Sequence, residues 1–500
     1  MNRSKKGFLN MSSHLLDQAV TAICGFIVPK LVLESFGSEV NGMVSSITQF
    51  LGIIALMESG FGSVAKTAFY KPLAYKDKEG ISGVFNATES FFRRIALIFA
   101  GYCILLAVVF PFIKESSFDY IFVSSLVLIL GIKSFMQYYF GVSYTLMFNA
   151  DQCGYVSGFL QVVAIILNAI ITVILLNLGA GVHVVKLVSA FVFIIKPFVM
   201  NFYGRKKYEI NRKLPKDKTS LSQKWDNLGQ SIALYIHTKT DAMLITVFLN
   251  FAEVSVYSVY SLVTTSLSAI ITSISSGFVS GLGNMYAKGE KENFDKVFSL
   301  YEFVNTTITF LFYTIAFIVV LPFVKVYTAN ITDVDYIRPL FAGIIIVAEL
   351  LYCLRLPYYY MITNARHFKQ IKKGAYVEAG LNIVLSLILI NFMGITGLVI
   401  GTSVAMLFRT TQIILYCSKH IIKRNPFVAL KRVVVNLAGA AASVAVSKLI
   451  SFETADFIDL FIYAVIIGSI SLAFLGLFNL IFFTKDVKLM FKKVRSVVRR

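Results

Sequence analysis

His237 and Asp241 are spaced four apart in the apolar stretch Leu228–Asn250. On a helix both fall on one face, about 40° apart. An imidazole beside a carboxylate can hold a proton or a small cation near neutral pH. The same spacing also suits a structural hydrogen-bonded pair between helices. Asp17 and Glu58 are further acids set in apolar stretches, and with His237 and Asp241 they are the candidates for ion or proton coupling. Lys30, Lys133, Lys196, Lys239, Arg355 and Arg409 are cations in the same kind of setting. Such groups can compensate an anion held away from bulk water. Lys196 and Arg409 stand 213 residues apart; each either faces a polar interior or snorkels towards a membrane surface. Lys239 points away from the His237/Asp241 face.

The elements that carry these residues must be membrane helices. The chain has 500 residues, of which 57% are hydrophobic and 15% charged, with a mean hydropathy of +0.74. A soluble chain has about 25% charged residues. The apolar runs are long enough to cross ~30 Å of hydrocarbon as helices. They are continuous rather than alternating, which excludes a barrel. Fourteen spans can be drawn, so the expected fold class is an all-α polytopic membrane protein. A charged residue inside a span costs roughly 2.5–3.5 kcal/mol unless hydrated or paired, which is why those above come first as candidates.

Net charge is +20, yet its placement argues against nucleic acid. With the N-terminus inside, 36 of the 47 Lys and Arg fall in inner segments and only Lys114 and Lys325 in outer loops. That is the positive-inside pattern of a plasma-membrane protein with both termini cytoplasmic, and anionic headgroups are the partner of its basic face. The tail 484–500 reads as a basic amphipathic helix on the inner leaflet. Cys24, Cys103, Cys153, Cys353 and Cys417 have no metal-ligand or redox spacing and read as small core residues. No GxxxxGK[ST] motif occurs, so no nucleotide cofactor is expected. No metal and no catalytic residue is expected either.

The chain also repeats itself at an offset near 214. SEVNGM around Glu39 is similar to AEVSVY around Glu253, and PFIK at 111–114 to PFVK at 322–325. DYI recurs at 119–121 and 335–337, Asn149–Ala150 at Asn364–Ala365, and Leu167–Asn168 at Leu381–Asn382. These matches divide the chain into a six-helix bundle at 1–203, a basic linker at 204–227 and a second six-helix bundle at 228–418. Two additional spans at 430–483 and the tail follow. Both bundles start inside, so they are expected to be parallel repeats about a pseudo-two-fold along the membrane normal, with a central cavity for alternating access.

This organisation resembles the multidrug/oligosaccharidyl-lipid/polysaccharide exporter superfamily, and its details resemble the polysaccharide-transporter, or oligosaccharide flippase, branch. The carriers are Gly37, Glu39 and Gly42 in the first hairpin, Glu58, Gly60 and Gly62 near the end of the second helix, and the stretch Thr240–Tyr260. The resemblance implies a non-enzymatic flippase that moves a lipid-linked oligosaccharide, usually on undecaprenyl diphosphate, from inner to outer leaflet. The polymer served would be capsular, exo- or wall polysaccharide, with glycosyltransferases and a polymerase as pathway partners. The six cations would then compensate the diphosphate. Tyr358 and Tyr359 would stack on sugar faces while donating hydrogen bonds, or belong to an interfacial aromatic belt. A cation-coupled multidrug exporter of the same superfamily is the alternative. A polysaccharide polymerase or ligase fits less well, because the outer loops are short.

Overall fold

Long apolar runs leave a backbone in lipid no hydrogen-bond partner but itself, so each run must be helical. The computed structural model of the protein describes residues 3–113, 117–217 and 240–498, and every regular element among them is a helix. Eleven are long and apolar enough to cross a membrane. One of them, Leu9–Tyr75, has 67 residues, about 100 Å of helix, far more than ~30 Å of hydrocarbon requires.

Glycines divide the two overlong segments. Gly37, with φ 78°, breaks α1 (Arg3–Leu51). Gly394, with φ 57°, breaks the later helix Phe368–Cys417. Only glycine takes such left-handed backbone without a steric cost. Counted at these breaks, the described residues hold about thirteen long apolar helical segments. The backbone stays helical through Pro29, where the sequence suggests a kink; its non-helical residue is Gly37. The span expected at 228–250 lies partly outside the described residues, and within them it is helical at 240–248, here α9.

The chain forms two compact units, Met1–Ser255 and Val256–Arg500. The first continues from α1 through α2 (Ala55–Ala68), α3 (Tyr70–Tyr75), α4 (Lys78–Ile113), α5 (Tyr120–Met136) and a π-helical turn at Gln137–Gly141. It goes on through α6 (Val142–Ala150), α7 (Gly154–Asn177), α8 (Val182–Tyr208) and α9, and ends in the first turn of α10 (Phe251–Ala287). Met43, Ile47, Phe92, Phe99, Phe110 and Val127 build its core.

The second unit comprises the rest of α10, then α11 (Lys291–Tyr327), α12 (Pro339–Leu354), α13 (Leu356–Asn364) and α14 (Phe368–Cys417). A π-helical turn at Ser418–Ile422, α15 (Phe427–Ser447), α16 (Phe457–Phe482) and α17 (Thr484–Val498) complete it. Leu282, Phe298, Tyr301, Met361 and Ile413 are central to its core. α15 and α16 pack on α11 through a separate cluster of Phe310, Leu354, Ala440 and Leu475.

Lipid gives apolar side chains little reason to leave it, so membrane helices hold together by close approach and polar contacts. The segment of α1 after Gly37 illustrates both. Asn41 Nδ2 donates to Ser255 Oγ at 2.7 Å, and the Ser46 and Thr246 hydroxyls are 2.5 Å apart. Between them, a Cβ added to Gly42 would come within 1.6 Å of the Phe251 carbonyl oxygen. Gly42→Ala should therefore lower the melting temperature of the detergent-solubilised protein by several degrees. Gly25→Ala, at a position with nothing within 4 Å of the added carbon, should leave it unchanged.

Candidate functional site

In the first unit, mostly half-buried polar groups come together from α1, α2, α5, the π-turn, α7 and α8. α8 carries Lys196 immediately before Pro197. Proline withholds its N–H from the helix ladder, which frees the carbonyl of Phe193 one turn back. Lys196 Nζ donates to Gln161 Oε1 of α7 at 2.8 Å and lies in the electrostatic reach of Asp17 on α1 and Glu58 on α2. Glu58 accepts a hydrogen bond from the Tyr138 hydroxyl at 2.9 Å. Tyr138 is placed by the π-turn, a local widening that often marks functional positions in helices. Asp17 also faces His14 and Thr21, and its Oδ1 is buried without a hydrogen bond. Lys133 rests its ammonium on the Phe193 ring, 3.6 Å from the centroid. It is close enough to Lys196, and Lys186 to it, for like charges to be felt.

The second unit uses arginines instead. The helix breaks at Arg355 because Pro357 follows within the first turn of α13. Arg355 Nη1 donates to Glu378 Oε1 at 2.7 Å, and Arg409 Nε lies 3.3 Å from Glu378 Oε2. Arg409 also donates to the Ile371 carbonyl at 3.0 Å and to Gln412 Oε1 at 2.7 Å. Both guanidinium groups are buried, at 7% and 5% residue exposure. Glu349 on α12, which accepts from Ser268 at 2.7 Å, lies in the electrostatic reach of Arg355 and supplies a second carboxyl to the two cations.

The other expected site residues are placed as follows. Lys30 pairs with Glu34, one turn on, at 3.5 Å. Asp241 is buried on α9 and has an interaction partner. His237 and Lys239 lie outside the described residues. Tyr358 is buried and its hydroxyl donates a hydrogen bond to Glu302. Tyr359 is exposed beside Tyr360, their ring centroids 6.1 Å apart. Among the described residues no group of three or more His, Cys, Asp or Glu could hold a metal ion.

Two further clusters went unnoticed in the sequence. Glu302 on α11, 1% exposed, accepts from Arg424 at 2.6 Å, Arg432 at 2.5 Å and Tyr358. Arg432 in turn reaches Asp486 of α17 at 2.9 Å. Glu89 on α4 accepts from Arg212 at 2.7 Å and Arg93 at 3.1 Å, with Tyr144 in the same electrostatic neighbourhood. The offsets from Glu89 to Glu302, Arg212 to Arg424 and Tyr144 to Tyr358 are 213, 212 and 214. Each unit therefore folds the segment after its long hairpin helices back onto a buried glutamate at a corresponding place. The repeat spacing was the available signal.

A last cluster ties three helix ends. Asp151, in the turn between α6 and α7, accepts from Lys6, Lys207 and Tyr208 at 3.1, 3.1 and 2.6 Å. Burial alone would raise its pKa. Hydrogen bonds from Tyr208, Cys153, Lys6 and Lys207 together outweigh burial and bring the carboxyl down to about 2 from 3.8.

Solved transporters share this fold. The chain is similar to the lipid II flippase MurJ in an inward closed conformation, with 14% identity and a TM-score of 0.71; the match covers 96% of this chain and 100% of MurJ. It is also similar to multidrug resistance transporters of the MATE family in inward-facing and outward-facing conformations. These match at 15% and 14% identity and TM-scores of 0.62 and 0.60, over 81% and 85% of this chain and 95% and 97% of theirs. No protein-family model matches the chain, and no curated protein sequence does. The fold is thus one shared with the lipid II flippase MurJ and with MATE-family transporters of the MOP superfamily.

Glu302→Gln should lower the melting temperature more than Glu89→Gln. It takes one of two carboxylates from Arg432, which is almost fully buried, whereas the side chains of Arg93 and Arg212 are a third exposed and water can replace the lost charge. Asp151 stabilises the fold above its unfolded pKa, and the contribution is lost as pH falls through about 2. Asp151→Asn should thus lower the melting temperature at pH 7, and its difference from wild type should shrink as pH is taken from 4 towards 2.

Proposed function

We propose that the protein is a flippase for a lipid-linked oligosaccharide of the undecaprenyl-diphosphate type, carried from the inner to the outer leaflet by alternating access for capsular, exo- or wall polysaccharide synthesis. The observation that carries this reading is the gathering of cations within the membrane-spanning parts of both units, in formal excess over carboxylates in the first. Arg355 and Arg409 share Glu378, and Lys133 and Lys186 stand behind Lys196. Such a field attracts a diphosphate and repels an organic cation, so it disfavours the multidrug alternative. Likeness to MurJ over nearly the whole chain adds support.

On this reading Lys133, Arg355 and Arg409 compensate the headgroup, with Lys30 and Lys239 as further cations on the path. Tyr359, the exposed tyrosine of its pair, offers a ring to the sugar. Asp17, Glu58, His237 and Asp241 couple the cycle to a proton or cation. The chain crosses fourteen times as two parallel six-helix repeats plus two additional helices, a reading supported by the repeated Glu–Arg–Tyr cluster. It lies in a bacterial plasma membrane with both termini cytoplasmic, as the lysine and arginine distribution supports, beside the glycosyltransferases and polymerase of its pathway.

The test is leaflet accessibility of a fluorescent lipid-linked sugar in proteoliposomes. Lys133→Gln should slow flipping at least tenfold with the melting temperature held. Wild-type rates for Lys133→Gln, or no flipping of any prenyl-diphosphate sugar by the wild type together with drug resistance in cells, would reject the reading.

A further inference from the structure

Asp17 and Glu58 sit on different helices, yet one ammonium serves both. Lys196 makes its direct hydrogen bond with Gln161 Oε1 at 2.8 Å and meets the two carboxylates through space. The oxygen types in this group are those a small alkali cation would use: two carboxylates, the amide oxygen of Gln161 that Lys196 holds, and the hydroxyls that Tyr138 and Thr21 bond to Glu58 and Asp17. One carboxylate oxygen, Asp17 Oδ1, is buried and accepts no hydrogen bond.

Charge balance decides what such a group of oxygens can hold. Asp17 and Glu58 contribute two negative charges, and Lys196 and Lys133 two positive ones. Lys186 adds another positive charge next to Lys133, and His14, facing Asp17, would add one more when protonated. Coulomb interactions are strong away from bulk water, so a mobile cation entering here would meet an environment already neutral or positive. A tethered ammonium also binds without losing translational freedom, an advantage that no free ion has.

We propose that Lys196 is a built-in substitute for a bound monovalent cation at Asp17 and Glu58. The coupling acids of this unit therefore work without Na+ or K+, and removing the lysine uncovers an alkali-cation site. This deepens the coupling role assigned above to Asp17 and Glu58 and rests on it. The exchangeable event left to these acids is transfer of a proton or movement of the lysine.

The test reads ion binding rather than flipping. The full-length protein in nanodiscs is melted in NaCl, KCl and choline chloride at constant ionic strength, and binding of radioactive Na+ is measured directly. Wild type and Lys196→Arg should melt identically in the three salts and bind no Na+ saturably. Lys196→Gln should gain a saturable, alkali-specific rise in melting temperature, abolished in Lys196→Gln/Asp17→Asn. Saturable Na+ binding by the wild type that Asp17→Asn removes would overturn the proposal. So would a folded Lys196→Gln that shows no preference for alkali cations over choline. If Lys196→Gln does not fold, the wild-type measurement and Lys196→Arg still decide. Because no substrate is present, a failure here is distinct from a failure of the flipping assay.

Discussion

Desolvation of charge is the constraint on which the interior depends. An ion taken into hydrocarbon loses its hydration, and the protein must return that stabilisation through partners. Here the return comes in clusters rather than single pairs. Glu302 gathers two arginines and a tyrosine, Glu378 two arginines, Glu89 two more, and Asp151 a tyrosine and two lysines. Each cluster joins elements far apart in sequence, so the carboxylates also fix which helix ends meet.

The two units meet this constraint with different cations. Guanidinium groups spread charge over a planar fork and suit fixed bidentate or shared contacts. They occupy the second unit, where Arg355 and Arg409 are locked by Glu378, Gln412 and a carbonyl. Ammonium groups are compact and sit on flexible stems. They occupy the first unit, where Lys196 holds one amide oxygen and Lys133 only an aromatic face. Positions 196 and 409, which correspond on the proposed duplication, thus carry an ammonium in one unit and a guanidinium in the other.

The class was legible because hydropathy reports it directly. The breaks at Gly37 and Gly394 fall where the sequence places tight turns, since only glycine serves there. Legibility failed for partners. Arg355 and Arg409 stand out as lone intramembrane cations, but nothing local says that Glu378 meets both, because the contacts span 23 residues on one side and a helix hairpin on the other. Glu89 and Glu302 were missed for a different reason. Both lie at the ends of apolar runs, where a charge looks solvated, and only folding the following segment back over them buries them. Pro29 lies inside α1 at helical backbone angles, and the residue at which that helix leaves them is Gly37.

The anchoring of Arg432 has an evolutionary reading. On the proposed duplication, Glu89 and Glu302 descend from one ancestral residue, and so do Arg212 and Arg424. Glu89 fills its remaining acceptor capacity with Arg93 from its own helix. Glu302 gives that capacity to Arg432, which belongs to α15, the first helix beyond the repeat, and Arg432 passes the connection on to α17 through Asp486. The appended helices would then have been grafted onto a carboxylate that was already buried and already held one arginine. Accretion at an existing charge needed one new residue rather than a new interface, and it ties any later loss of the appendage to the stability of the ancestral core.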